Sequence, residues 1–387
     1  MTLDAQPVKI GPIAVWPPVV LAPMAGVTDA PFRVLCSEFG RGLYVNQMVT
    51  ARALVENHPP SWELSRFHPS EDIRSIQLYG TDPVTLAEAI RRLVGDGLVD
   101  HIDMNFGCPA AKVTRTGGGA ALPVKRKLLG AIVRAAVRSA DEASGGTVPV
   151  TVKFRLGIDD DHLTFLDTGR IAEGEGAAAL ALHARTALQH YAPPAHWDAI
   201  GELKAAIGTI PVFGNGEIFT ADDARTMMER TGCDGVVVGR GCLGRPWLFA
   251  ELDAAFSGEP IPPTPSLGTV ASVIRRHVDL MEEWASTGSR AGEPFRLSPF
   301  RKHLAWYLKG YPVGAAVRQG AGQVATRSDL ERLLEHLDPD ARPVEGAERM
   351  VRSHANPLRR VALPDRWLDD PDDDLTRLDV DDMVSGG

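Results

Sequence analysis

At 387 residues with 44% hydrophobic content, the chain exceeds one ordinary domain and can bury a large core. No stretch approaches the roughly 18 apolar residues of a membrane span, and Met1-Thr2-Leu3-Asp4 lacks the basic-then-apolar pattern of a secretory signal. Four scattered cysteines (Cys36, Cys108, Cys233, Cys242) without a Cys-x-x-Cys pair argue against a disulfide framework or structural zinc, and the expectation is a cytoplasmic protein.

The net charge is −9, but it is uneven. Residues 365–382 hold nine Asp and two Arg, a local −7, which leaves about −2 for everything else and room for a basic face. In chain order, an apolar run at 19–22 ends at Pro23-Met24-Ala25-Gly26, and Thr28-Asp29 caps a predicted helix over 30–39. Further strand candidates lie at 42–46, 75–80, 100–105, 148–154, 178–183, 210–215 and 235–240. Helical stretches at 83–94, 124–138, 165–173, 197–206 and 221–229 alternate with most of them. Eight apolar strands alternating with helices over about 250 residues match a (β/α)8 TIM barrel. A doubly wound open sheet is the alternative, though it seldom needs eight such units. Gln77, Asn105, Cys108, Lys153, His183, Asn215 and Arg240 follow these strands closely. In a barrel those ends converge on one face, where active sites lie.

The expected division is a barrel over 1–256, a small all-helical C-terminal domain over 257–338, and a polar, acidic tail over 339–387, disordered in part. A proline-rich linker at 258–265 separates the first two. The helical region interleaves Arg296, Arg301, Lys302, His303, Lys309 and Arg318 with Phe295, Phe300, Trp306, Tyr307 and Tyr311. That pattern suits phosphate gripping and base stacking, but equally an amphipathic helix whose aromatics are core.

The chemistry concentrates after the fourth strand. In Asp103-Met104-Asn105-Phe106-Gly107-Cys108-Pro109, Gly107 and Pro109 forbid a helix and force a turn, so a thiol stands at the mouth of a strand with a polar pair behind it. Lys112 and the Gly117-Gly118-Gly119 run follow, the latter permitting close backbone approach. Lys153 is a half-buried cation by position, fit for a Schiff base or for stabilising an anionic ring. Gln77 offers both donors and an acceptor to a heterocycle edge. His183 with Arg185 suggests an anion rather than a metal, and no metal-ligand spacing is evident. The turns Asn215-Gly216-Glu217 and Gly239-Arg240-Gly241 follow the last two strands, where barrels commonly bind phosphate. Residues 239–244 also read Gly-x-Gly-x-x-Gly, but no further strand completes a dinucleotide-binding unit, so a mononucleotide phosphate fits better.

Six motifs in this order resemble the tRNA-dihydrouridine synthase family, most of all its bacterial B-type branch. They are Ala22-Pro23-Met24-Ala25-Gly26-Val27-Thr28-Asp29-x-Pro31-Phe32-Arg33, Asp103-x-Asn105-x-Gly107-Cys108-Pro109, Lys153-Phe154-Arg155-x-Gly157, His183-x-Arg185, Gly214-Asn215-Gly216, and Val238-Gly239-Arg240-Gly241-x-x-Gly244-Arg245-Pro246-Trp247. The resemblance implies an FMN-bearing barrel that reduces the C5=C6 bond of tRNA uridines, with NADPH reducing the flavin. It implies hydride transfer from flavin N5 to C6 and protonation of C5 by Cys108. Pro23, Met24 and Ala25 would line the isoalloxazine, and Gln77 and Lys153 its polar edge. His183, Asn215, Gly216, Glu217, Gly239 and Arg240 would hold the ribityl phosphate end. Asn105, Lys112, Arg185, Arg301 and Lys302 would meet tRNA, with the protein acting as a monomer. Glu217 stands where the family usually has Asp, Ala184 where Gly is common, and the chain after about 339 has no counterpart. A flavin barrel acting on a small pyrimidine, of dihydroorotate or dihydropyrimidine dehydrogenase type, leaves the helical region unused. A non-catalytic RNA-binding barrel leaves Cys108 and Lys153 without purpose.

Overall fold

The computed structural model describes residues 6–288, 292, 294–353 and 358–371. Among the described residues ten strands form two sheets: a hairpin of β1 (Val8–Ile10) and β2 (Ile13–Val15), and a closed barrel. The barrel runs through β3 (Val19–Leu21), β4 (Leu43–Thr50), β5 (Ser75–Tyr79), β6 (His101–Phe106), β7 (Val150–Arg155), β8 (Ala179–His183), β9 (Val212–Asn215) and β10 (Gly235–Val238). All its pairings are parallel, and β10 closes onto β3. This is the TIM barrel read from the sequence. Its strands are buried on both faces and therefore read as continuous apolar runs.

Helix starts follow local chemistry. Asp29 accepts from the Phe32 amide ahead of the helix Ala30–Ser37, Asp82 accepts from Val84 and Thr85 ahead of Pro83–Gly95, and Thr220 with Asp223 makes a capping box for Ala221–Thr231.

Three details depart from the expected elements. The hairpin β1–β2 has no sequence signature because its strands are three residues each. It buries Ile10 and Val15 against Val20, Leu43, Val45, Ala179, Phe213 and Val237. The strand expected at 42–46 continues to Thr50 through a register shift between Val45 and Met48, which carries Met48 to the barrel mouth. The strand expected to end at Arg240 stops at Val238, because Gly239 turns the chain into a single 3-10 turn, Arg240–Cys242.

Beyond the helix Leu248–Ser257, the helices Leu267–Thr287, Arg301–Tyr307, Gly314–Ala321 and Arg327–Leu334 pack around Val270, Ile274, Val278, Phe300, Leu304, Tyr307 and Leu330. Val34 and Leu35 of the barrel's first helix join that core. Phe300, Tyr307 and Tyr311 are buried in it, so these aromatics serve packing; Trp306 lines the barrel mouth instead. Among the described residues no helix is long and apolar enough to cross a membrane.

Candidate active site

Strand register assembles the site. Gln77 pairs with Asp103, Asn105 with Lys153, Arg155 with His183, and His183 with Asn215. All of these side chains except Asp103, which lies deeper in the barrel, open into a cleft of about 510 Å³ at the C-terminal ends of the strands. Every residue that the family resemblance assigned to the flavin, the proton transfer or tRNA lines this cleft except Arg301. Pro23, Met24, Ala25 and Met48 supply apolar wall, and Lys302, Trp306 and Ser353 supply the rim.

A directional hydrogen-bond chain runs from the barrel interior to the thiol loop. Thr151 donates to Asp103 Oδ1 (2.7 Å) and Gln77 Nε2 donates to Asp103 Oδ2 (2.7 Å). Thr151 can then only accept from His101 Nε2 (3.0 Å), so His101 Nδ1 accepts from Ser75 (2.7 Å). On the other side, Gln77 Oε1 accepts from Asn105 Nδ2 (2.8 Å). Asn105 Oδ1 in turn accepts from the amides of Gly107 (3.0 Å) and Cys108 (2.9 Å). The buried carboxylate of Asp103 thereby fixes which way both amides face. Asn105, assigned to tRNA from the sequence, spends its oxygen on the Cys108 turn.

Two further elements hold that turn. Arg155, buried, donates to Gly107 O (2.8 Å), Thr186 O (3.0 Å) and His190 O (2.8 Å). Ala120 donates to Cys108 O (3.0 Å). Gly119 sits at φ +54°, where a Cβ would lie 2.5 Å from Cys108 O, so no other residue lets the two loops meet. Burial pushes the Cys108 thiol above its ordinary range, against the Ala110 amide and the charges of Arg155 and Lys112. The thiol therefore keeps its proton at neutral pH, as a proton donor needs and a nucleophile or metal ligand does not.

Six cationic side chains and one carboxylate line the cleft, so it selects for an anion. Lys153 donates to Asn215 Oδ1 (3.1 Å), and burial, then the neighbouring Arg155, brings it down to about 8 against the pull of Asp103. Burial and the charges of Arg155, Lys153, Arg185 and Arg240 hold His183 well below its usual range, so it is neutral. Arg185 donates to His183 Nε2 (3.2 Å), which leaves the His183 proton on Nδ1. The Arg240 guanidinium stacks over Tyr191 (4.8 Å) and has no hydrogen-bond partner among the described residues, an unsatisfied fork suited to a phosphate.

Besides Asn105, three assignments change. Arg185 is fully buried and ion-paired to Glu217 (2.8 Å), beyond the reach of a macromolecule. Both Glu217 oxygens are taken, by Arg185 and the Ala195 amide (2.9 Å), so its longer arm braces Arg185 rather than facing a ligand. Arg301 donates to Val324 O (2.7 Å) and Gln323 O (3.3 Å) and stays in the helical region. The Gly-x-Gly-x-x-Gly at 239–244 leads into the 3-10 turn and a helix. A Cβ on Gly241 would lie 2.0 Å from Ile218 O, and one on Gly244 2.3 Å from the Trp306 carbonyl carbon, so these glycines serve packing.

Sequence reasoning left Arg155, Tyr191 and Met48 without roles. Arg155 was detectable as the second polar residue at one strand end. Tyr191 lies in an irregular loop and gives no local signal. Among the described residues, no three His, Cys, Asp or Glu side chains gather as a metal site.

A family model described as dihydrouridine synthase (Dus) matches residues 20–341. A probable tRNA-dihydrouridine synthase of Mycobacterium tuberculosis (strain CDC 1551 / Oshkosh) is 54% identical over 386 residues, covering 98% of this chain and 97% of that one. The tRNA-dihydrouridine synthase B of Xanthomonas campestris pv. campestris is 40% identical over 324 residues, 82% of this chain and 92% of that one. Among solved structures, histamine dehydrogenase from Rhizobium sp. 4-9 shares the fold at a TM-score of 0.52 and 14% identity, over 71% of this chain and 50% of that one.

Proposed function

Because the chain belongs to the dihydrouridine synthase family, we propose a mechanism in which it reduces tRNA uridine to 5,6-dihydrouridine with Cys108 as the acid. It is a flavin-dependent oxidoreductase acting on tRNA. The observation that carries the mechanism is a single cleft holding a half-buried thiol, a half-buried lysine on the adjacent strand and an arginine fork without a hydrogen-bond partner among the described residues.

The residues present fit a flavin mononucleotide. Pro23, Met24 and Ala25 offer an apolar wall to its ring, Gln77 and Lys153 a polar edge, and His183, Asn215, Gly216, Gly239 and Arg240 a phosphate end. When bound, FMN supplies the hydride that C6 of the uracil receives, and NADPH restores it. A uridine must leave the stacked tRNA to enter the cleft. Hydride gain at C6 leaves an enolate whose C5 takes the Cys108 proton, completing addition of two hydrogens across C5=C6. Asn105 and Arg155 hold the Cys108 turn so that the thiol faces inward, and solvent reprotonates it. Lys112 and Lys302 stand exposed at the rim, where tRNA phosphates would pass. Four free cysteines suit a reducing cytoplasm.

The test uses purified protein, NADPH or NADH, and tRNA lacking the modification. Wild type forms dihydrouridine, faster with NADPH. Cys108→Ala retains flavin and loses about 10²- to 10⁴-fold in rate. Product forming on uracil nucleotides but not on tRNA would favour the small-pyrimidine reading.

A further inference from the structure

The chain continues past residue 341, where the family match ends, and residues 358–371 return to the barrel mouth. We propose that this segment is a strap that positions the thiol loop, with Trp367 as its positioning residue; the proposal rests on the catalytic role of Cys108 given above.

Trp367 is 2% exposed although it lies in an acidic, polar stretch. Its ring packs on Ala121, Val124 and Ile158, with Val361, Leu363 and Leu368 around it. Its indole N–H donates to Ala121 O (2.8 Å). Lys125 lies over the ring (5.2 Å) and donates to Asp370 O (2.6 Å), and the Arg126 amide donates to Pro371 O (3.0 Å). Gly117 takes φ +73°, and a Cβ there would lie 2.4 Å from the indole, so the loop is shaped to the ring. At its other end the strap donates from the Arg359 amide to Leu188 O (3.2 Å).

These anchors fall on the loops after β6, β7 and β8; the first and last lead to the thiol, and Leu188 donates to Ile158 O (2.8 Å) to tie in the second. Ala120, next to the Trp367 acceptor, donates to Cys108 O (3.0 Å). The loop carrying Leu188 presents Thr186 O and His190 O to Arg155, which also holds Gly107 O. Strap, loops and Cys108 turn thus form one closed circuit. Releasing the strap frees the loop behind Cys108 to open locally and lets the thiol turn toward solvent.

The test uses the full chain loaded with flavin, as Trp367→Ala, the conservative Trp367→Phe and the milder Leu368→Ala. Iodoacetamide alkylation of Cys108, located by mass spectrometry, is one readout; Cys36, Cys233 and Cys242 are buried and react later. Steady-state kcat and KM for tRNA are the other. Trp367→Ala is expected to speed alkylation about tenfold and to lower kcat about tenfold at unchanged KM and flavin content. Trp367→Phe should recover most of both. If Trp367→Ala does not fold, Leu368→Ala should show the same changes in smaller degree. Alkylation at the wild-type rate in the folded variants overturns the strap, as does a rise in KM alone, which would make the segment a tRNA contact. If wild type itself makes no dihydrouridine, the proposed reaction falls, and the alkylation rates still decide the strap.

Discussion

At the residue scale the site depends on two charges on neighbouring strands, buried Asp103 and half-buried Lys153. Both Asp103 oxygens accept hydrogen bonds, from Thr151 and from Gln77. Asp103→Asn sets a donor against one of those donors, at a cost of about 1–3 kcal/mol. Urea unfolding should show that loss, and kcat should fall as the amides of Gln77 and Asn105 lose their enforced orientation; equal urea midpoints and equal kcat would refute the relay. Lys153, brought down to about 8, is a cation below that pH and neutral above it. An anionic ligand edge raises its pKa on binding, so binding takes up a proton above pH 8. Flavin affinity should therefore weaken as pH rises through about 8, and Lys153→Met should flatten the profile. Equilibrium dialysis of flavin from pH 7 to pH 10 measures both.

At the scale of elements, catalysis depends on loops fastened to loops rather than on strands alone. The glycine run after β6 was legible as a place of close backbone approach, but its target was not, since Cys108 O reaches it at Gly119 and the Trp367 ring at Gly117. Gly119→Ala places a Cβ 2.5 Å from Cys108 O at a positive φ. The expected cost is about 1–3 kcal/mol in stability, seen as a lower Tm, together with faster Cys108 alkylation. A variant with wild-type Tm would mean that the two loops do not meet as described.

At the scale of the molecule, the helical region is joined to the barrel through shared core, with Phe32 against His277 and His303. It is also joined by polar contacts: Arg276 with Glu38, Arg66 with Thr287 O (3.0 Å), and Lys302 with Gly26 O. The same docking brings Lys302 and Trp306 to the rim of a cleft otherwise built by strands. Lys302→Glu should raise the Kd for tRNA about tenfold and reduce the salt slope by about one, leaving flavin content intact. Affinity equal to wild type across a salt titration would remove Lys302 from the tRNA path.

The sequence by itself determined the barrel, the strand-end residues and the family, because buried parallel strands read as unbroken apolar runs and the motifs are local in the chain. It placed Gln77, Asn105, Cys108, Lys153, His183, Asn215 and Arg240 at one mouth, since a closed barrel leaves strand ends nowhere else to converge. Only the tertiary structure decided which of these side chains are free to meet a ligand. Arg185 and Glu217 neutralise each other, Arg301 is consumed within the helical region, and Arg155 and Asp103 become supports of the thiol. Hydrogen-bond satisfaction between residues far apart in the chain settles such matters, and local pattern carries no record of it. Trp367 is the extreme case: an acidic neighbourhood reads as disorder, yet one indole finds an apolar seat 246 residues away from its own position.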